Sequence, residues 1–480
     1  MTLCHSPLLA DFYQLTMAYG YWQLGVAETE ATFHLLFRKN PFQGNYALSC
    51  GLASVVDYIE NWRFEEDDLA YLATLKRSNT NQSLFPNAFL DYLKQLRFTG
   101  DLDAIPEGTI VVANEPIIRV QGPIIQCQLL ESALLNILNF QTLIATKASR
   151  VCRVAGEDCV IEFGLRRAQG PDGALSASRA AYIGGCVASS NTLAGKYYGI
   201  PVRGTHAHSW VTPFPTEQTA FSAYADVFPE NCVLLVDTYH TLSGVQHAIE
   251  IGQQLRQMGH TLKAIRLDSG DLAELSIKAR KCLDQAGFTE TKILASNSLD
   301  EYVIADLKQQ GATIDLWGVG TNLVTAYDHP ALDGVYKLSA LKDASGWIYK
   351  LKLSEQEIKV SNPGRHQVRR FFCNEQYILD VIYDLDLGIS DTPESILLDD
   401  TQSRKKLDDV DAFVDLLEPI FHRGKLVKPQ QLIHEIRKEA LFAVKDFDRQ
   451  HGQHSYPIAL ESNLFQMKQR LLKQYRKVAG

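Results

Sequence analysis

Between Cys159 and Val319 the chain carries six compact apolar runs of strand length, at 160–163, 202–205, 233–236, 263–267, 292–295 and 315–319, separated by intervals of helical composition. Few folds accommodate that alternation. Strands buried on both faces read as unbroken apolar runs, and helical crossovers between them place the strands parallel. Each run also ends in chemically active residues: Gly164-Leu165-Arg166-Arg167, Gly204-Thr205-His206-Ala207-His208, Asp237-Thr238-Tyr239, Arg266-Leu267-Asp268-Ser269-Gly270-Asp271, Ser296-Asn297-Ser298 and Gly318-Val319-Gly320-Thr321. In an α/β barrel the loops after the strands converge on one face, so these scattered residues are expected to line a single mouth.

The flanks read differently. Before the barrel, helices are expected at 8–23, 48–62, 69–75, 89–96 and 126–150, and strands at 31–38, 101–105, 110–113 and 117–121, with Asp11 placed to cap or orient the first helix. After it, strands at 349–352, 367–372 and 378–382 precede a charged helical tail from Pro429. The expected fold class is α/β: an irregular, six-stranded α/β barrel at 151–340, an N-terminal α+β sandwich domain at 1–150 and a C-terminal extension at 341–480, part of it returning to the N-terminal domain. With 480 residues, 46% of them hydrophobic, the chain can bury a core of that size.

Charge narrows the partners. A net charge of -9 argues against a general binder of nucleic acid or anionic membrane. The nine cysteines include no Cys-x-x-Cys pair, and most sit in apolar surroundings, as expected of a cytoplasmic chain. The first residues lack the basic and apolar pattern of an export leader, and no apolar run is long enough to span a membrane.

Within the mouth, His206 and His208 lie two apart and would project to one side of an extended chain. Three readings compete: hydrogen-bonded structural groups, a pair of metal ligands, or a nucleophilic histidine that carries a phosphoryl group. Metal needs further ligands, and the later strand ends offer Asp237, Asp268 and Asn297 but no histidine. Arg166, Arg167, Arg179, Arg203 and Arg266 gather at the strand ends of an acidic protein, which points to a strongly anionic ligand. Asp268 beside Arg266 suits a magnesium-phosphate substrate, whereas Asp271 reads as the cap of the following helix. No Gly-x4-Gly-Lys-Ser/Thr loop occurs, and Leu397-Leu398-Asp399-Asp400-Thr401 reads as a solvated turn.

Assembled, these residues resemble the nicotinate phosphoribosyltransferase family over almost the full chain. The resemblance rests on Leu9-Ala10-Asp11-Phe12-Tyr13-Gln14-Leu15-Thr16-Met17, Glu162-Phe163-Gly164-Leu165-Arg166-Arg167-Ala168-Gln169-Gly170-Pro171-Asp172-Gly173, Ser190-Asn191-Thr192-Leu193-Ala194-Gly195 and Gly204-Thr205-His206-Ala207-His208-Ser209. It continues through Leu235-Val236-Asp237-Thr238-Tyr239, Arg266 to Asp271 and Gly318 to Thr321. It implies formation of nicotinate mononucleotide and diphosphate from nicotinate and phosphoribosyl diphosphate, coupled to ATP hydrolysis with Mg²⁺ or Mn²⁺. On it, His208 is the phosphohistidine and, with Asp268, catalytic. Tyr13, Phe163, Arg166, Thr205 and Arg266 would hold nicotinate. Arg166, Asn191, Asp268, Ser296, Gly318, Gly320 and Thr321 would hold phosphoribosyl diphosphate, with Asp268 near its metal. A nicotinamide-specific relative carries an acidic residue where Asn191 stands, so a preference for nicotinate is expected. A homodimer with shared sites, Tyr13 reaching the neighbouring barrel, is also implied. The rival readings are a metal-dependent barrel hydrolase, resting on His206-x-His208, and a lapsed ligand-binding protein that keeps the barrel.

Overall fold

The computed structural model describes residues 5–78, 80–354, 360–391, 393–398, 403–407, 410–452 and 454–479. Asp399, Asp400 and Thr401 of the acidic turn lie outside them. The chain forms two compact units, residues 144–330 and a second built from 1–143 with 331–480. The division falls inside one long helix, Glu131–Ala155, so the stretch expected as a single helix at 126–150 is a short helix, Ile124–Leu129, followed by this longer one.

The discontinuous unit is organised on a seven-stranded antiparallel sheet, ordered Gly346–Tyr349, Gly334–Asp343, Glu30–Phe37, Ile118–Pro123, Asp101–Ala104, Glu418–His422, Lys425–Leu426. Late segments thus pair with early ones. The central strand Glu30–Phe37 is buried nearly throughout, which is why it reads as an apolar run rather than an alternation. Its partner Gly334–Asp343 was not expected, because its lysines and serine break any pattern; its register is set across the sheet, with Phe33 and Tyr336 stacked 5.0 Å apart. A second six-stranded sheet contains His366–Cys373 and Gln376–Asp384, paired antiparallel, and the helix Ile433–His451 belongs to this unit as well.

This unit encloses a histidine pair. His34 and His366 stack with ring centroids 4.2 Å apart, both buried. The His366 amide donates to His34 Nε2 (3.1 Å), His366 Nε2 donates to the Pro363 carbonyl (2.9 Å), and Ser339 Oγ lies 3.0 Å from His34 Nδ1. Burial depresses both pKa values, His366 to about 4, with the Arg119 guanidinium adding to the effect. A depressed histidine pKa means that the unfolded chain binds more protons between the folded and unfolded values. Stability is therefore highest above about pH 6.5 and falls as pH drops towards 4 through His366, with His34 acting in the same direction. Urea midpoints measured across this range should fall with pH, and His366→Gln should flatten the slope; an unchanged slope would exclude His366 as a source of it.

The other unit is the α/β body. Its parallel sheet runs Ala188–Ser189, Cys159–Glu162, Leu316–Val319, Lys292–Ser296, Ala264–Leu267, Val233–Leu235. First and last strands in sequence are neighbours, as in a barrel. Five of the six expected runs are strands within a residue or so of the expected bounds. The exception is 202–205, where only Val202 pairs, as an isolated parallel bridge to Ser189. The sixth strand is instead Ala188–Ser189, too short and too small in side chain to register as an apolar run. Helices follow the strands, and several start on side-chain caps: Asn191, Thr216, His240, Asp271 and Asp300 each accept backbone N–H groups of the next turn. Among the described residues no helix is long and apolar enough to cross a membrane.

Candidate active site

The carboxyl ends of the strands surround a cavity of about 440 Å³, lined entirely by residues between Phe163 and Thr321. One wall is aromatic. Gly318 leaves room for the Phe163 ring: a Cβ at Gly318 would come within 2.6 Å of it. The Arg266 guanidinium lies 5.5 Å from the same ring's centroid. A planar ring with an anionic substituent fits a surface that combines an apolar face and a fixed cation.

Arg266 also organises the mouth. Its Nε donates to Ser296 Oγ (2.9 Å), one terminal nitrogen to Thr205 Oγ1 (3.2 Å) and the other to Asp268 Oδ1 (3.0 Å). Ser296 Oγ in turn donates to Asp268 Oδ1. The end of Arg266's own strand, the neighbouring strand end at Ser296 and the loop after Val202 are thereby tied to one planar group. Thr205 completes the chain by donating its hydroxyl to the His206 carbonyl (3.0 Å).

His208 opens the short helix His208–Val211, with its side chain 45% exposed. Nδ1 lies 3.1 Å from Thr238 Oγ1, and Nε2 is 3.9 Å from Asp268 Oδ2, beyond hydrogen-bond reach. With Nδ1 donating to Thr238, Nε2 keeps a free lone pair. Asp237, next to Thr238, accepts the Asp268 amide (3.0 Å) and the Ser269 hydroxyl (2.5 Å) on Oδ2. Its buried Oδ1 has no partner among the described residues.

Of the residues expected at the site, Phe163, Arg166, Thr205, Arg266, Asp268, Ser296, Gly318, Gly320 and Thr321 line the cavity, and His208 stands against Asp268. The Arg166 and Arg167 side chains make no hydrogen bond or ion pair among the described residues, so both forks are available to an anion. Asn191 is placed otherwise: 2% exposed, it caps the helix Thr192–Tyr198 with Oδ1 and donates to Ser178 Oγ (3.2 Å) with Nδ2. Arg179 is also withdrawn, buried in the helix Gly170–Ile183 with its guanidinium 5.9 Å from the Tyr198 ring centroid. Tyr13 belongs to the other unit, on the helix Phe12–Gln23, where it is 47% exposed.

Further residues shape the site: Glu162 stands in the sequence only as part of a motif, whereas Asn297 and Ser298 are expected at the mouth and do line it. Glu162, fully buried, accepts the Gly164 amide and the hydroxyls of Ser178 (2.9 Å) and Ser189 (2.5 Å), fixing the strand end that carries Phe163. Asn297 and Ser298 line the cavity at φ 102° and 47°, the sparsely populated left-handed side. Asn322 holds that turn by donating to the Ser298 carbonyl (3.1 Å). Asn is among the residues that tolerate positive φ, and that was the available sequence signal.

Fold and cavity together define an α/β-barrel enzyme whose mouth is built for a small, strongly anionic substrate. Three family models match: the nicotinate phosphoribosyltransferase N-terminal domain at residues 8–139, the nicotinate phosphoribosyltransferase family at 159–362 and its C-terminal domain at 365–468. The chain belongs to the nicotinate phosphoribosyltransferase family. It is 47% identical over 364 residues to nicotinate phosphoribosyltransferase of Bacillus subtilis, covering 76% of this chain and 72% of the relative. With the human nicotinate phosphoribosyltransferase it shares 36% over 414 residues, 75% of either chain. The crystal structure of human nicotinic acid phosphoribosyltransferase superposes with a TM-score of 0.84 at 29% identity, covering 96% of this chain and 99% of that one.

Proposed function

We propose that this chain transfers the phosphoribosyl group of phosphoribosyl diphosphate to nicotinate, forming nicotinate mononucleotide and diphosphate, with ATP hydrolysis coupled through His208. The observation that carries the reading is the Arg266 node, which sets a cation beside the Phe163 face and ties it to Thr205, Ser296 and Asp268. Nicotinate's carboxylate pairs with Arg266 while its ring lies on Phe163. The pyridine nitrogen then attacks the anomeric carbon; the new C–N bond forms as the C–O bond to diphosphate breaks. Arg166 and Arg167 take the anionic groups, and Thr321 with the neighbouring glycines receives the phosphate end. Alignment and charge stabilisation account for most of the rate.

In the coupled step, His208 Nε2 attacks the γ-phosphorus of ATP; the N–P bond forms, the bond to the bridging oxygen breaks, and ADP leaves. Thr238 holds the other nitrogen protonated. Hydrolysis of phosphohistidine releases phosphate and resets the site.

Divalent metal fits this site as a companion of the substrate. Among the described residues no group of three His, Cys, Asp or Glu side chains could hold an ion unaided, while Asp268 faces the cavity and Asp237 Oδ1 lies unpartnered behind it. Mg²⁺ suits such a place, since it is commonly held by one or two carboxylates together with substrate phosphates, whose charge it neutralises. The His206-x-His208 metal pair of a hydrolase finds no support, because His206 Nε2 already accepts the Leu235 amide at 3.1 Å.

The exposed apolar residues Phe12, Tyr13 and Met17 support a homodimer in which this helix completes the partner's site. Free cysteines, among them buried Cys232 with its thiol pushed up to about 12, fit a cytoplasmic protein. The test is direct: purified protein with nicotinate, phosphoribosyl diphosphate and Mg²⁺, with and without ATP, should yield nicotinate mononucleotide by chromatography. ATP should increase the yield, and nicotinamide should not substitute. No product under either condition would leave the lapsed ligand-binding reading.

A further inference from the structure

Followed around the barrel, the strands run from Cys159–Glu162 to Ala188–Ser189 to the Val202 bridge on one side. On the other they run from Cys159–Glu162 through Leu316–Val319, Lys292–Ser296 and Ala264–Leu267 to Val233–Leu235. Val202 and Val233–Leu235 therefore face each other across the remaining side, and among the described residues no ladder joins them. The Leu235 amide, turned away from its only strand partner, accordingly needs an acceptor. His206 supplies it: Nε2 accepts that N–H at 3.1 Å.

We propose that His206 is a positioning residue that closes the open seam of the barrel and thereby fixes the loop carrying Thr205 and His208. The ring is held in one protonation state by its contacts. Nε2 accepts, so Nδ1 carries the proton and points at the Ala207 carbonyl (3.3 Å). Tyr224 packs edge-on at 4.9 Å between centroids, and Phe221 at 6.0 Å. His206 borders the cavity but is only 7% exposed, and both ring nitrogens are already engaged, so neither is offered to a ligand. Its main chain nevertheless serves the site directly, because the His206 carbonyl accepts the Thr205 hydroxyl that Arg266 also binds. One side-chain bond thus registers the nicotinate anchor and the nucleophile against the strand that leads to Asp237 and Thr238. The part concerning His208 rests on its proposed role as phosphoryl acceptor.

The experiment compares His206→Leu, which removes the acceptor, with His206→Gln, whose amide oxygen reaches about as far as Nε2, and His206→Asn, which stops one carbon short. Leu and Asn should speed amide exchange in the peptide containing Leu235, slow phosphorylation of His208 about tenfold or more and raise the nicotinate KM, as loss of a registered geometry predicts. Gln should restore all three to within about threefold of the parent. Equal behaviour of Leu and Gln would overturn the proposal. If His206→Leu does not fold, the contrast between Gln and Asn decides in its place. Nitrogen-15 spectra of histidine-labelled parent protein, with the His206 signals assigned by their loss in His206→Gln, should show a proton on Nδ1 and none on Nε2; a proton on Nε2 would overturn it equally. Should the parent show no phosphorylation, the phosphohistidine reading fails, while Leu235 exchange and the nicotinate KM still decide the role of His206.

Discussion

Alanine at position 208 is expected to remove acid-labile phosphate incorporation from γ-labelled ATP completely, and with it every ATP-dependent gain in nicotinate mononucleotide formation. The imidazole is the group near Asp268 that combines a free nitrogen lone pair with a partner for its other nitrogen, Thr238 Oγ1 at 3.1 Å. Removing it deletes the proposed nucleophile and leaves the Arg266 node untouched, since none of that node's hydrogen bonds involves His208. A residual ATP-independent transfer should therefore persist. Labelling at the parent level in His208→Ala protein would move the phosphoryl acceptor elsewhere. Thr238→Val offers the finer reading: with the hydroxyl gone the ring can turn, and labelling should slow by about tenfold without vanishing.

The parts of this molecule that were legible in the sequence are those whose physics is local. Parallel strands covered on both faces must be continuously apolar, so five of the barrel strands announce themselves, and the polar residues that end them converge because the strands run parallel. Asp271 was readable as a cap, and it accepts the Glu274 amide at 3.0 Å. Partners distant in the chain were harder to see. Ala188–Ser189 is a strand because Cys159–Glu162 lies beside it, and Gly334–Asp343 because Glu30–Phe37 does. Arg179 and Asn191 show the same limit at the site. Both residue types suit an anion, and nothing adjacent in sequence says that one is buried against Tyr198 and the other used up as a helix cap. For His206, sequence order alone left structural, metal and phosphoryl roles open; the Leu235 amide, 29 residues away, distinguishes them.

Arg266→Lys should be the most damaging conservative change in the barrel. A lysine ammonium retains the positive charge but is a compact donor on a flexible stem, and it cannot span Ser296, Thr205 and Asp268 in the plane that a guanidinium fills. The side chain is only 14% exposed, so partners left unsatisfied would not be fully compensated by water. Asp268 and Ser296 would remain joined to each other, whereas Thr205 would lose its link to the strand Ala264–Leu267. The cation beside Phe163 would lose its fixed position as well. Loss of two such hydrogen bonds and of the proposed fork contact to nicotinate should lower kcat/KM by about a hundredfold or more, equivalent to about 2.7 kcal/mol. Because the proposed carboxylate contact would be made in both bound substrate and transition state, KM for nicotinate should rise, while the disordered ring should also lower kcat. Steady-state kinetics at saturating phosphoribosyl diphosphate separates the two. A variant within about twofold of the parent in both constants would show that charge alone suffices at this position, and that the planar fork is not what recognises the substrate.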